Sequence, residues 1–244
     1  MRNKRRDLIK ALSLGAIVPT RAWESALQGS LQNSSVDELY KDAIVIDGLI
    51  ITRDWGSDSF KALKASGYTG FIASTGSGSL ENTIKQLGEW RQKIQDNSDQ
   101  LILAKTAGDF KQAKKEDKAA ILLGFQNSSM IGSSVNNLNK LYEAGTRWMQ
   151  LTYNNRNLLG DGCTERTNAG LSDLGVAAVE RMNELGIIID TSHCGQQTTL
   201  DGIKFSKSGI SINHSMCEAL HKNHPRAKTD EQIRAMAEKG GMMG

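Results

Sequence analysis

From residue 35 onward, short apolar runs alternate with longer stretches whose apolar residues recur at three- and four-residue spacing. The first pattern marks buried strands and the second amphipathic helices. Ser35-Val36-Asp37-Glu38 offers a capping box to a short helix ahead of the first strand. Strands are predicted at Ala43 to Asp47, ending at Gly48, and at Gly70 to Ser74, ending in a turn around Gly76 and Gly78. Ser79 is placed to cap a helix on which Ile84, Leu87 and Trp90 share a face. A third strand, Ala119 to Leu123, is predicted to close at Gly124, with Leu101-Ile102-Leu103 as a small extra strand before it.

The alternation continues through a helix over Val135 to Ala144, with Leu138, Leu141 and Tyr142 on one face, and a strand over Arg147 to Thr152. Leu174, Ala178, Met182 and Leu185 mark a helix that Gly186 would end. Strands follow at Ile187 to Asp190 and Gly209 to Asn213. Thr229 and Gln232 then open a further helix that stops at Gly240 and Gly241, and a seventh strand begins at Met242.

Strands that are apolar throughout, each followed by a helix, imply a parallel sheet covered on both faces. A doubly wound open sheet and a (β/α)8 barrel both satisfy that pattern. Six units and a stub point to a TIM-type barrel cut short, since such barrels usually take ~250 residues. The expected organisation is a leader and linker over residues 1–30 and one barrel domain over 31–244.

Composition changes this picture little. The 244 residues are 39% hydrophobic and 23% charged, with a net charge of +3. Part of that charge sits on Arg2, Lys4, Arg5 and Arg6, so the body is nearly neutral and no nucleic-acid surface is expected. No apolar run approaches the ~20 residues of a membrane-spanning helix. The basic head followed by Ala11 to Val18 has the layout of an export signal, and Arg5-Arg6 with Leu8, Ile9 and Lys10 resembles a twin-arginine signal. That reading implies a periplasmic or otherwise exported protein that meets the twin-arginine machinery. An exposed basic helix is the plainer alternative. The three cysteines, Cys163, Cys194 and Cys217, form no disulfide framework and are expected as free thiols.

All four histidines fall between His193 and His224. His193 and His214 each follow a predicted strand closely, at the barrel face where active sites are built. Two neutral imidazoles at neighbouring strand ends can converge on one cation, although two ordinary polar residues at loop starts would look the same. His221 and His224 precede and meet Pro225, which disfavours a continuing helix, so they are expected as loop residues. Cys217 is a weaker candidate ligand, and Cys194 would point away from its neighbour His193. Arg226 could grip a carboxylate through two parallel hydrogen bonds.

The segments Met149 to Asn155, Gly170 to Gly175, Met182 to Gly186, Ile189 to His193, Asn213 to Ser215, His224 to Arg226 and Thr229 to Ile233 together resemble the membrane (renal) dipeptidase family. Ile121 to Phe125 and Val45 to Gly48 extend the likeness upstream. The resemblance implies a metal-dependent (β/α)8 hydrolase that cleaves dipeptides, usually with two zinc ions. It implies that His193 and His214 hold the second zinc, that Arg226 grips the substrate carboxylate, and that Tyr153 stands where a histidine contacts the substrate carbonyl.

Three departures qualify it. The family's first strand ends Asp-Gly-His-x-Asp, whereas this chain has Asp47-Gly48-Leu49-Ile50-Ile51, and the bridging glutamate position holds Gln126. The strand carrying a further required aspartate is expected beyond Gly244. A bacterial branch of the family resembles this chain in its Asp-Gly-Leu and Gly-Phe-Gln-Asn forms. The expectation is therefore one zinc rather than two, held by His193, His214 and a carboxylate from the absent end. Asp47, Gln126 or Asp54 would be nearby auxiliaries. A homodimer is compatible with the sequence. The alternatives are an inactive barrel that binds small peptides, and a hydrolase of other amides or of lactones.

Overall fold

A computed structural model describes residues 35–51, 56–76 and 78–244. The expected leader over residues 1–30 and the acid Asp54 lie outside the described residues. Internal contacts divide the chain into two compact units, Met1–Ala43 and Ile44–Gly244. In the first, helix α1 (Val36–Asp42) carries the expected capping box, with Ser35 and Glu38 each accepting from the other's backbone N–H.

The second unit is built on a parallel sheet. Its strands are β1 (Ile46–Ile50), β2 (Gly70–Ser74), β3 (Leu101–Ala104), β4 (Ala119–Phe125), β5 (Trp148–Gln150), β6 (Ile188–Asp190), β7 (Ser211–Ile212) and β10 (Met242–Met243). They run in the order β1-β2-β4-β5-β6-β7-β10, with β3 paired to the first half of β4 and β5 to its last two residues. β8 (Met216–Cys217) and β9 (Ala227–Lys228) form a separate two-stranded parallel pair. The intervening helices are α2 (Ser57–Ser66), α3 (Leu80–Asp96), α4 (Ala107–Glu116), α5 (Asn137–Ala144), α6 (Asp173–Leu185), α7 (Gln196–Phe205) and α8 (Asp230–Glu238). None of the described helices is long and apolar enough to cross a membrane.

Successive strand residues face opposite sides, which separates the core into two layers. Phe71, Ala73, Ile121, Leu123, Met149 and Ile189 pack outward against Leu87, Leu141 and Met182 of the helices. Ile72, Ala120, Leu122 and Trp148 line the other face, where Leu49 joins them and Phe110 of α4 closes the layer. The sheet curls into a half-barrel. Its curvature brings the end of β1 against the end of β7, where a Cβ on Gly48 would lie 2.3 Å from the Asn213 carbonyl oxygen.

Strands β5, β6 and β7 are shorter than the expected spans Arg147 to Thr152, Ile187 to Asp190 and Gly209 to Asn213, and two other boundaries differ for local reasons. β1 starts three residues late because its partner starts at Gly70, which pairs with Ile46, and the strand runs on through Gly48 to Ile50 across an irregularity in register. β4 does not close at Gly124. The missing side chain there leaves room for the Trp148 indole, which passes over β4 and donates to the Ala73 carbonyl at 3.3 Å. Helices α2, α4 and α7 were not anticipated from the sequence.

Candidate active site

The site is assembled where β5, β6 and β7 end. Asp190, the last residue of β6, is fully buried, and its Oδ1 accepts from Ser192 Oγ at 2.6 Å, Ser192 N at 3.1 Å and Asn213 N at 3.1 Å. Ser192 Oγ in turn accepts from His214 N at 3.1 Å. One carboxylate thus ties together the two turns that carry the histidines. Burial pushes its pKa up, against the pull of those same hydrogen bonds. Its Oδ2, together with Gln150 Oε1 and Asn213 Nδ2, is buried without a partner among the described residues.

His193 and His214 meet. Their Nε2 atoms lie 3.1 Å apart, and the ring centroids 5.1 Å apart at a 56° tilt. Burial, reinforced by the Arg226 charge, lowers the pKa of His193 to about 3 and that of His214 to about 4. Both rings are therefore neutral at pH 7 and hold lone pairs. His193 Nδ1 faces Asn154 Oδ1 at 2.7 Å. His214 Nδ1 is buried without a partner among the described residues.

Zinc fits this pair. Two Zn–N bonds of about 2.0–2.1 Å at a tetrahedral angle place their nitrogens about 3.3 Å apart, close to the separation found here. The described residues supply only half of such a coordination sphere, for no group of three or more His, Cys, Asp or Glu side chains converges among them. Asp47 belongs to no such group; its Oδ1 accepts from Leu49 N at 2.9 Å within its own strand. The backbone carbonyl of Gln126 takes a hydrogen bond from Gln150 Nε2.

The remaining candidates surround the pair. Tyr153 is 42% exposed and stacks on His193 with ring centroids 4.1 Å apart. Arg226 is half-buried. Its Nη2 donates to the His214 carbonyl at 2.7 Å and its Nε to the Ser192 carbonyl at 3.2 Å. That geometry uses two guanidinium nitrogens to brace the histidine turns and leaves Nη1 without a hydrogen bond among the described residues. His221 and His224 sit together in the loop after β8, ring centroids 4.9 Å apart, and His224 Nδ1 accepts from Arg226 N at 3.2 Å. All three cysteines are free. Burial raises the Cys194 pKa to about 11 and that of Cys163 less far, which makes both poor thiolates.

Several participants were not anticipated. Lys228 is buried and donates from Nζ to the carbonyls of Thr191 at 2.7 Å and Cys194 at 3.0 Å and to Thr199 Oγ1 at 3.1 Å, pinning the His193 turn from below. Burial lowers its pKa. Asp161 is buried in the long β5–α6 connection. It accepts from Arg156 Nε at 2.6 Å, from Thr167 Oγ1 and from Ala169 N, and the Arg156 hydrogen bond leads in holding its pKa down. A cavity of about 320 Å³, whose lining includes neither His193 nor His214, is bounded by Cys163, Glu165, Cys194, Glu218, His224 and Gln232.

Comparison with known proteins agrees with this architecture. The dipeptidase verJ of Clonostachys rogersoniana is 28% identical over 174 residues, which are 70% of this chain and 45% of that protein. The crystal structure of an amidohydrolase from Pseudomonas aeruginosa superposes with a TM-score of 0.81 at 35% identity, covering 86% of this chain and 64% of that one. The probable dipeptidase PvdM from Pseudomonas aeruginosa shares the fold, with a TM-score of 0.75 at 23% identity over 85% of this chain and 60% of its own. The chain thus spans about half to two thirds of the length of these relatives. The model of the membrane dipeptidase family, peptidase family M19, matches residues 57–244. The chain belongs to the membrane dipeptidase family.

Proposed function

We propose that the whole protein hydrolyses the peptide bond of dipeptides at a single zinc ion held by His193 and His214. The observation that carries this reading is the 3.1 Å approach of two neutral imidazole nitrogens at neighbouring strand ends. A carboxylate from outside the described residues would complete the set. When bound, zinc supplies Lewis-acid polarisation and a nucleophile active at neutral pH.

The chain's own residues supply the rest. Arg226 Nη1 faces an incoming C-terminal carboxylate while Nε and Nη2 stay on the turns. The Tyr153 hydroxyl donates to the substrate carbonyl, and its ring covers one face of His193. One ion rather than two is favoured because Leu49, standing where the family resemblance places a metal ligand, packs into the inner apolar layer.

The test is metal content and turnover of the full-length protein. One zinc per chain, dipeptide hydrolysis abolished by chelation, and loss of at least about a hundredfold in His193→Ala and His214→Ala are expected, as for removal of a primary ligand. Leu49 also favours a second reading, an inactive barrel that retains peptide binding. That version predicts dipeptide binding through Arg226 that chelators leave unchanged. The likeness to an amidohydrolase keeps other amides in view, and parallel assay of dipeptides and N-acyl amino acids separates the two substrate classes.

A further inference from the structure

We infer that Asn154 is a positioning residue: its side-chain carbonyl fixes His193 in the tautomer that leaves Nε2 unprotonated and facing His214. The inference deepens the metal reading above and rests on it for its function, though not for its geometry. A neutral imidazole carries one N–H, and whichever nitrogen meets an acceptor keeps it. Asn154 Oδ1 lies 2.7 Å from His193 Nδ1. The same oxygen lies 3.5 Å from Cys163 Sγ, a thiol that can donate to an oxygen. With Oδ1 inward, as the structure places it, the proton on His193 is held at Nδ1.

Asn154 is itself held firmly. Its φ is 58°, in the left-handed region that asparagine tolerates better than most residues. Its backbone carbonyl accepts from both Thr164 N and Thr164 Oγ1 at 2.9 Å. Cys163 N donates to the His193 carbonyl at 2.9 Å, so the β5–α6 connection is locked to the His193 turn on both sides of the amide. Groups that orient a metal-binding histidine through its second nitrogen typically change metal affinity about 10–100-fold when removed.

Two measurements test this on the full-length protein. Nitrogen-15 NMR of the metal-free wild type at pH 7 should show His193 protonated at Nδ1. An Nε2-protonated ring would overturn the inference. Zinc affinity, read by competition with a chromogenic chelator, should fall about 10–100-fold in Asn154→Leu and recover to within a few-fold of wild type in Asn154→Asp, which keeps the acceptor. Equal affinity in Asn154→Leu and wild type would also overturn it. A wild type that binds no zinc defeats the parent metal reading, while the tautomer measurement still decides the role of Asn154.

Discussion

Burial of an imidazole disfavours its charged form, and here two imidazoles share one buried site beside Arg226 and Lys228. The sign of the resulting pH dependence follows directly. In the unfolded chain both histidines titrate near 6.5, whereas in the folded chain they resist protonation down to about 4 for His214 and about 3 for His193. As pH falls below about 6.5 the unfolded state takes up protons that the folded state refuses, and stability drops. The urea midpoint of metal-free protein is therefore expected to fall between pH 6.5 and pH 5, and to fall less in His214→Gln. A midpoint that is flat across that interval would contradict the neutral assignment. Clustering of histidines after predicted strands made this pair legible in the sequence. Asn154, Ser192, Asp190 and Lys228 were not legible, because nothing local distinguishes a buried polar residue that braces a turn from one in solvent. Only the fold brings Lys228 under Thr191 and Cys194.

At the scale of elements, the connection from β5 to α6 does most to shape the site, yet it contains no helix. It is ordered by side chains: Arg156 on Asp161, Asp161 on Thr167 and Ala169, and Asn157 Nδ2 on the Leu151 carbonyl at 2.8 Å. Gly162 lets this loop close on Asn154, since a Cβ there would lie 2.0 Å from the Asn154 carbonyl oxygen. Gly162→Ala is expected to displace the loop, cost about 1–3 kcal/mol of stability and speed amide exchange over residues 154–164. Wild-type exchange in that variant would show that the close approach is not needed.

Strongly patterned elements were read well. β2 and the Gly186 stop of α6 match expectation, as do the capping boxes at Ser35 and Thr229. The missed helices have physical reasons. α2 buries no side chain fully, with Phe60 and Leu63 only half-buried, and α7 follows Gly195 with no side-chain cap. For α4 the Thr106–Asp109 capping box was available as a signal.

At the scale of the molecule, the parallel order of strands and the curl that brings Gly48 to Asn213 place the C-terminal ends of the main sheet's strands along one rim. The alternation of strand and helix predicted that class of fold, and the count of six units with a stub pointed to the curled sheet that is found, although alternation alone fits an open sheet as well. Curvature depends on contacts far apart in sequence, such as Trp148 lying over β4. The rim's function turns on whether His193 and His214, 21 positions apart and separated by helix α7, bind the same ion. Diffraction from zinc-loaded crystals of the full-length protein, measured at the zinc absorption edge, answers this most directly. One anomalous peak is expected, about 2.0–2.1 Å from Nε2 of both rings. A peak bound elsewhere, or crystals with no zinc signal at that rim, would contradict it.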